Sequence, residues 1–123
     1  MKVGIDMVEV SRFFDKCENV AFLSRVFTKK EREHIEQLSN QQARAERIAG
    51  KFAGKEAVVK MLGTGIDKGV KWTEIEILPN ELGKPVVSFS GVTKEIAQSL
   101  KIKEMDISIS HTRDNAVAIC IAK

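Results

Sequence analysis

Tyrosine is absent from this chain of 123 residues, which also holds only two cysteines, two prolines and one tryptophan. Each scarcity excludes something. Cys17 and Cys120 are too few for a secreted disulfide scaffold, and Cys120 lies in a strongly apolar run, so a reducing, cytoplasmic setting is expected. No apolar stretch approaches the ~18 residues that cross a bilayer, and no basic-then-apolar leader opens the chain, so neither export nor membrane insertion is expected. With no tyrosine, and with its phenylalanines scattered or set on apolar faces, the chain lacks the stacking platform of a nucleic-acid-binding module, and no nucleic acid is expected as partner. Linkers, repeats and low-complexity segments are missing too. Charge of one sign is not in excess. The formal net charge of +3 permits an acidic partner without demanding one.

What is present suits one soluble domain spanning 1–123, with 43% hydrophobic and 30% charged residues. A chain of this length buries about two-thirds of its unfolded surface. At the N-terminus, KVGIDMVEV alternates Val3, Ile5 and Met7 with Gly4, Asp6 and Val8, a strand of period two. SRFFDKC then takes helical spacing, with Val10, Phe13, Phe14 and Cys17 on one side. Thr28 and Glu31 fit a capping box that opens a helix over 29–38. A longer helix is expected over 41–62, with Gly63 at its C-terminal cap. The second half predicts strands at 74–78 and 84–90 about a PNELG turn, a helix over 91–101, and a hairpin of MDISISH (105–111) and AVAICIA (116–122). AVAICIA is apolar throughout, so both its faces should be covered, by the core or by a neighbouring subunit. The expected class is α+β, with helices packed on a largely antiparallel sheet.

Several residues sit awkwardly in that scheme. Asp6 shares a strand face with Gly4. A carboxylate there either reaches water at an edge or needs a partner, because an unpaired buried charge is costly. Two carboxylates on separate elements can hold Mg²⁺, with waters and a substrate phosphate completing the shell. Glu56 is the second candidate. Gly50, Ala53, Gly54 and Ala57 recur at spacings of three and four, forming a nearly bare ridge that lets another backbone approach, with Lys60 one turn beyond Glu56. The plain alternative is a Glu–Lys pair on a solvated face. Gly63-Thr64-Gly65 reads either as a helix cap or as a loop that aims amides at a phosphate, although Walker spacing is absent. Arg44, Arg47, Lys51 and Lys55 form a basic stripe, a solvated face or an anion contact. His34 reads as exposed and His111 as a structural strand-end residue, while Ser110 lacks a nucleophile elbow.

Taken in order, GID (4–6), FAGKEAVVK (52–60), GTGI (63–66), GKP (83–85) and SISHT (108–112) are specific. Over residues 3 to 121 they resemble the phosphopantetheinyl transferases, in particular the short bacterial class, the holo-[acyl-carrier-protein] synthases. The resemblance implies transfer of 4′-phosphopantetheine from coenzyme A to a serine of apo acyl carrier protein, leaving adenosine 3′,5′-bisphosphate. It implies Mg²⁺ held by Asp6 and Glu56, with Lys60 completing the catalytic set, and a homotrimer with sites between subunits. Coenzyme A contacts would fall to Lys51, Lys60, Gly63, Thr64, Gly65, Gly83, Lys84, Pro85, His111 and Thr112. Arg12 and Arg25 would meet the acidic carrier protein. Gly54 departs from the serine or alanine that family members often carry there, a change expected to touch packing more than chemistry.

Overall fold

The computed structural model describes residues 1–123, the side chain of Asp67 excepted. Strand β1 (Lys2–Glu9) leads into a 3-10 helix (Val10–Lys16), then α1 (Val20–Val26), α2 (Lys29–Glu36) and α3 (Gln41–Leu62). Strands β2 (Ile75–Pro79) and β3 (Pro85–Phe89) follow, then α4 (Gly91–Ser99), β4 (Met105–His111) and β5 (Asn115–Ala122). All pairing is antiparallel. β5 lies between β1 and β4 in one sheet, and β2 and β3 form a second. The expected α+β class holds, with the antiparallel strands divided between two sheets.

α3 is the axis. The Asn40 side chain accepts from the amide of Ala43 at its start, and Gly63, at φ +78°, closes it in the left-handed conformation that glycine adopts freely. Between them β1, β5, β4, β2, α2 and the 3-10 helix all pack on it. A helix covered from so many directions has no solvated stripe, and most of residues 45–62 are buried.

Two backbone approaches set the geometry. At Gly4 a Cβ would stand 2.0 Å from the Ala57 carbonyl oxygen and 2.5 Å from the Met61 amide nitrogen, so β1 lies directly on the α3 backbone. On β5 the inward residues are Ala116, Ala118, Cys120 and Ala122, small enough to seat the sheet on the same helix. The expected glycine ridge works differently from the reading above. Gly50 and Gly54 admit the side chains of Ile109, Ile107 and Ile77, whereas at Ala57 the backbone of the first strand comes close.

The outer face of the sheet is apolar. Val3 opposes Ile121, Ile5 opposes Ile119 and Met7 opposes Val117. Val117 is half-buried, and the exposure of the other five runs from 40% at Ile119 to 67% at Met7. Val3, Ile5 and Met7 of β1 thus point away from the core, and its Gly4, Asp6 and Val8 face inward. Only the alanine and cysteine side of β5 is covered within the chain.

One local expectation changes, one element appears that the sequence did not announce, and one cap holds with a further role. Residues 10–16 coil as a 3-10 helix, and Phe14 turns outward while Val10, Phe13 and Cys17 are buried, because the three-residue turn rotates successive side chains further than an α-helix does. α1 has no clear periodic signal. It is capped by Asn19, whose side chain accepts from the Phe22 amide, and it buries Leu23 and Val26. The capping box at Thr28 and Glu31 is present, yet Glu31 is wholly buried and does more than cap.

Candidate active site

Because Gly4 brings β1 onto α3, Asp6 arrives above the last two turns of that helix. Lys60 Nζ donates to Asp6 Oδ1 at 3.1 Å and to the Ile5 carbonyl at 3.0 Å. The Asp6 side chain is 15% exposed, and its Oδ2 has no hydrogen-bond partner among the described residues. Glu56 lies one turn before Lys60. Burial, and then the nearby Asp6 charge, raise its pKa above the ordinary carboxylate value, against the pull of Lys60 and Arg12. Two carboxylates that repel one another, one with a buried, unpaired oxygen, are a fitting donor pair for a hard cation such as Mg²⁺. No cluster of three or more His, Cys, Asp or Glu occurs among the described residues, so any remaining positions would fall to water and substrate oxygens. The solvated-face alternative for Glu56 does not hold, because the residue is half-buried and faces Asp6.

Arg12 borders this pair. Its guanidinium lies 5.4 Å from the Phe13 ring centre and 4.9 Å from that of Phe52, and Phe52 in turn lies 5.4 Å from Trp72. Phe13, Phe52 and Trp72, scattered in sequence, gather into one bank under Arg12. Arg25, in the last turn of α1, is exposed.

A groove of about 250 Å³ is lined by His34, Arg47, Lys51, Gly83, Pro85 and His111, among others. It unites four of the expected coenzyme contacts. Lys51 is 5% exposed, and its Nζ donates to the Ile77 carbonyl at 2.7 Å. Burial lowers its pKa to about 8. Lys84 pairs with Asp106 at 2.8 Å. Thr112 shapes the β4–β5 turn, its hydroxyl accepting from the amides of Asp114 and Asn115. Gly63, Thr64 and Gly65 follow α3 beyond Lys60, at the far end of the helix from Lys51. The Thr64 hydroxyl is buried without a partner among the described residues.

The basic stripe divides. Lys55 is fully buried and pairs with Glu31 at 2.6 Å, and it donates also to the carbonyls of Trp72 and Ile75. It is a structural ion, neither solvated nor free for an anion. His34, expected in solvent, instead lines the groove, where burial and the charges of Lys51 and Arg47 hold its pKa down to about 4. Its neighbours Arg47 and Lys51 come from another helix, so its own sequence surroundings carried no signal.

The site has two parts: a carboxylate pair with an adjacent lysine in the last two turns of a buried helix, and a basic groove against residues 46–51 of the same helix. Residues 2–120 match the family model of the 4′-phosphopantetheinyl transferase superfamily. A holo-[acyl-carrier-protein] synthase of Caldanaerobacter subterraneus is 46% identical over 121 residues, which cover 98% of this chain and 92% of that protein. The fold superposes on the holo-(acyl-carrier-protein) synthase of Bacillus anthracis in complex with CoA (3′,5′-ADP), with a TM-score of 0.81, 32% identity, and coverage of 98% and 94% of the two chains. It also superposes on the Helicobacter pylori holo-[acyl-carrier-protein] synthase in complex with coenzyme A, with a TM-score of 0.83, 28% identity, and coverage of 98% and 99%. The chain belongs to the 4′-phosphopantetheinyl transferase superfamily. Its similar relatives are those of the short class that the sequence motifs resemble.

Proposed function

We propose that the protein transfers 4′-phosphopantetheine from coenzyme A to a serine of apo acyl carrier protein, releasing adenosine 3′,5′-bisphosphate. The observation that carries this reading is the juxtaposition of Asp6, Glu56 and Lys60 produced by the Gly4 contact, in a chain whose relatives are synthases of this kind. A divalent cation, when bound between Asp6 and Glu56, supplies charge neutralisation at the pyrophosphate. The protein's own groups orient and hold. Lys60 offers its ammonium to a phosphate oxygen. The Gly63 amide is held by the Val59 and Lys60 carbonyls, so the amides of Thr64 and Gly65 are the ones offered to a phosphate, and Lys51 and His111 line a groove suited to further phosphate and adenosine groups. Since both the attacked phosphate and the leaving group are anionic, catalysis is mainly positioning and charge compensation. The serine proton goes to Glu56 or to a water beside it.

The two halves of the site are far apart within one chain. Lys51 and Lys60 are nine residues apart on α3, about 13 Å along the axis and half a turn round it. The exposed apolar sheet face of Val3, Ile5, Met7, Ile119 and Ile121 offers a surface for copies of the chain to meet. We read the active form as a homotrimer in which the groove of one copy completes the carboxylate site of another. Sedimentation equilibrium should then report about three times 13.7 kDa, and a fully active monomer would rule this assembly out. Arg12 and Arg25, both exposed, are the residues we assign to an acidic carrier protein.

Mass spectrometry tests the activity. Apo acyl carrier protein incubated with the enzyme, coenzyme A and Mg²⁺ should gain one phosphopantetheine arm on one serine. Asp6→Ala and Glu56→Ala should each abolish most transfer, with the double variant little worse than either, because the two act as a unit. Unimpaired turnover in either single variant at limiting Mg²⁺ would refute the assignment.

A further inference from the structure

Lys60 extends from an exposed position at the end of α3, and its side chain is 54% exposed. A lysine so placed can leave its ammonium in water. Instead Nζ folds back across the helix end to Asp6 Oδ1 and the Ile5 carbonyl, at 3.1 and 3.0 Å. The Asp6 carboxylate is the less exposed partner, and its other oxygen is unpaired. Glu56, one turn away, feels Asp6 as a repelling charge and Lys60 and Arg12 as attracting ones. Arg12 is fixed over the Phe13 and Phe52 rings. Lys60, on a flexible four-carbon stem, is the cation of the pair that can move.

We propose that Lys60 is a resident counter-ion of the carboxylate pair, which surrenders Asp6 to a divalent cation and passes to a coenzyme phosphate, so that metal and coenzyme bind cooperatively. This rests on the metal and coenzyme reading above. A dication on Asp6 and an ammonium 3.1 Å from the same carboxylate compete for one charge. A lysine displaced from Asp6 does not gain Glu56 in exchange, since Glu56 then faces the same metal. An incoming phosphate removes that cost. Linkage makes the effect reciprocal, with coenzyme raising metal affinity by the same factor that metal raises coenzyme affinity.

The test is binding, read without turnover. Mn²⁺ is titrated calorimetrically into the parent, Lys60→Met and Lys60→Arg, each with and without saturating coenzyme A, with metal binding by free coenzyme subtracted. Because Lys60 is half-exposed, the methionine variant should keep the parent's thermal midpoint, measured alongside. Without coenzyme, Lys60→Met should bind Mn²⁺ about two- to fivefold tighter than the parent, the range that a half-exposed ion pair sustains. The gain in Mn²⁺ affinity on adding coenzyme A should be large in the parent, retained in Lys60→Arg and reduced in Lys60→Met. Equal or weaker Mn²⁺ binding by Lys60→Met without coenzyme overturns the counter-ion role while leaving the metal site standing. No Mn²⁺ binding by the parent, with or without coenzyme, overturns the metal site and this role together.

Discussion

Replacing Lys55 by methionine should cost this protein a large part of its stability, although Lys55 touches no proposed substrate. Its ammonium is fully buried and makes three contacts, to Glu31 Oε1 at 2.6 Å, to the Trp72 carbonyl at 2.8 Å and to the Ile75 carbonyl. Glu31, equally buried, accepts from Lys55, from the Thr28 amide at 2.9 Å and, through Oε2, from the Ile77 amide at 2.8 Å. Burial pulls the Lys55 pKa down from its ordinary value, and Glu31 opposes that pull. Removing one member of such a pair strands the other charge and costs about 3–5 kcal/mol. A domain of this size has only about 5–15 kcal/mol in total. Replacing both members by apolar residues is often nearly neutral for buried ion pairs. Here it should not be. Glu31→Leu with Lys55→Met also orphans three backbone groups, the amides of Thr28 and Ile77 and the carbonyl of Ile75, at about 1–3 kcal/mol for each one left unsatisfied, while the Trp72 carbonyl keeps the Ile75 amide as donor. The double variant should therefore be no more stable than the worse single one. Urea unfolding followed by the fluorescence of Trp72, the chain's one tryptophan, measures all three. Recovery of parental stability in the double variant would show that the pair serves charge compensation alone. A loss below about 1 kcal/mol in Lys55→Met would show that its three contacts have little net worth.

Gly4→Ala should both destabilise the fold, by about 1–3 kcal/mol or more as overpacking does, and weaken metal binding, since the added carbon meets backbone atoms that no rotamer change can move; parental Mn²⁺ affinity in this variant would separate Asp6 from the Gly4 contact. Lys51 should make coenzyme binding and stability respond oppositely above neutral pH. Its pKa is about 8 when folded and about 10.4 unfolded, so between those values the unfolded chain binds more protons and stability rises with pH. Coenzyme A affinity should fall over the same range as the ammonium is lost, and Lys51→Met should remove both slopes in parallel urea and calorimetric titrations. Arg12→Gln should raise the apparent KM for acyl carrier protein more than that for coenzyme A, and added salt should mimic it in the parent. Equal losses toward both substrates would place Arg12 in the service of the carboxylate pair it borders.

The boundaries of α2 and α3, and most of the strands, follow from local chemistry that the sequence displays outright. Asn40 and Gly63 cap the long helix, Thr28 and Glu31 form their box, and the period-two runs of 105–122 pair as a hairpin. The family motifs likewise lie in contiguous stretches, and they named Asp6, Glu56 and Lys60 before any geometry was known. What the sequence could not reveal is which partner each charged residue meets, because those partners are distant in the chain. Lys51 and Lys55 share a helical stripe with Arg44 and Arg47 and look alike in sequence. Only the docking of α2 and β2 onto α3 buries them, gives Lys55 to Glu31 and turns Lys51 into a groove with His34. The alternation of β1 fixed which residues share a face but not which face is inside. That was decided by Gly4, the residue on the strand that lets a helix backbone come within 2.0 Å of where a Cβ would be. The apolar side of the strand was thereby left to the surface, and Asp6 was brought to Lys60. Periodicity and caps are properties of neighbours within a few residues, whereas burial and ion pairing depend on which elements meet, and only the folded chain settles that.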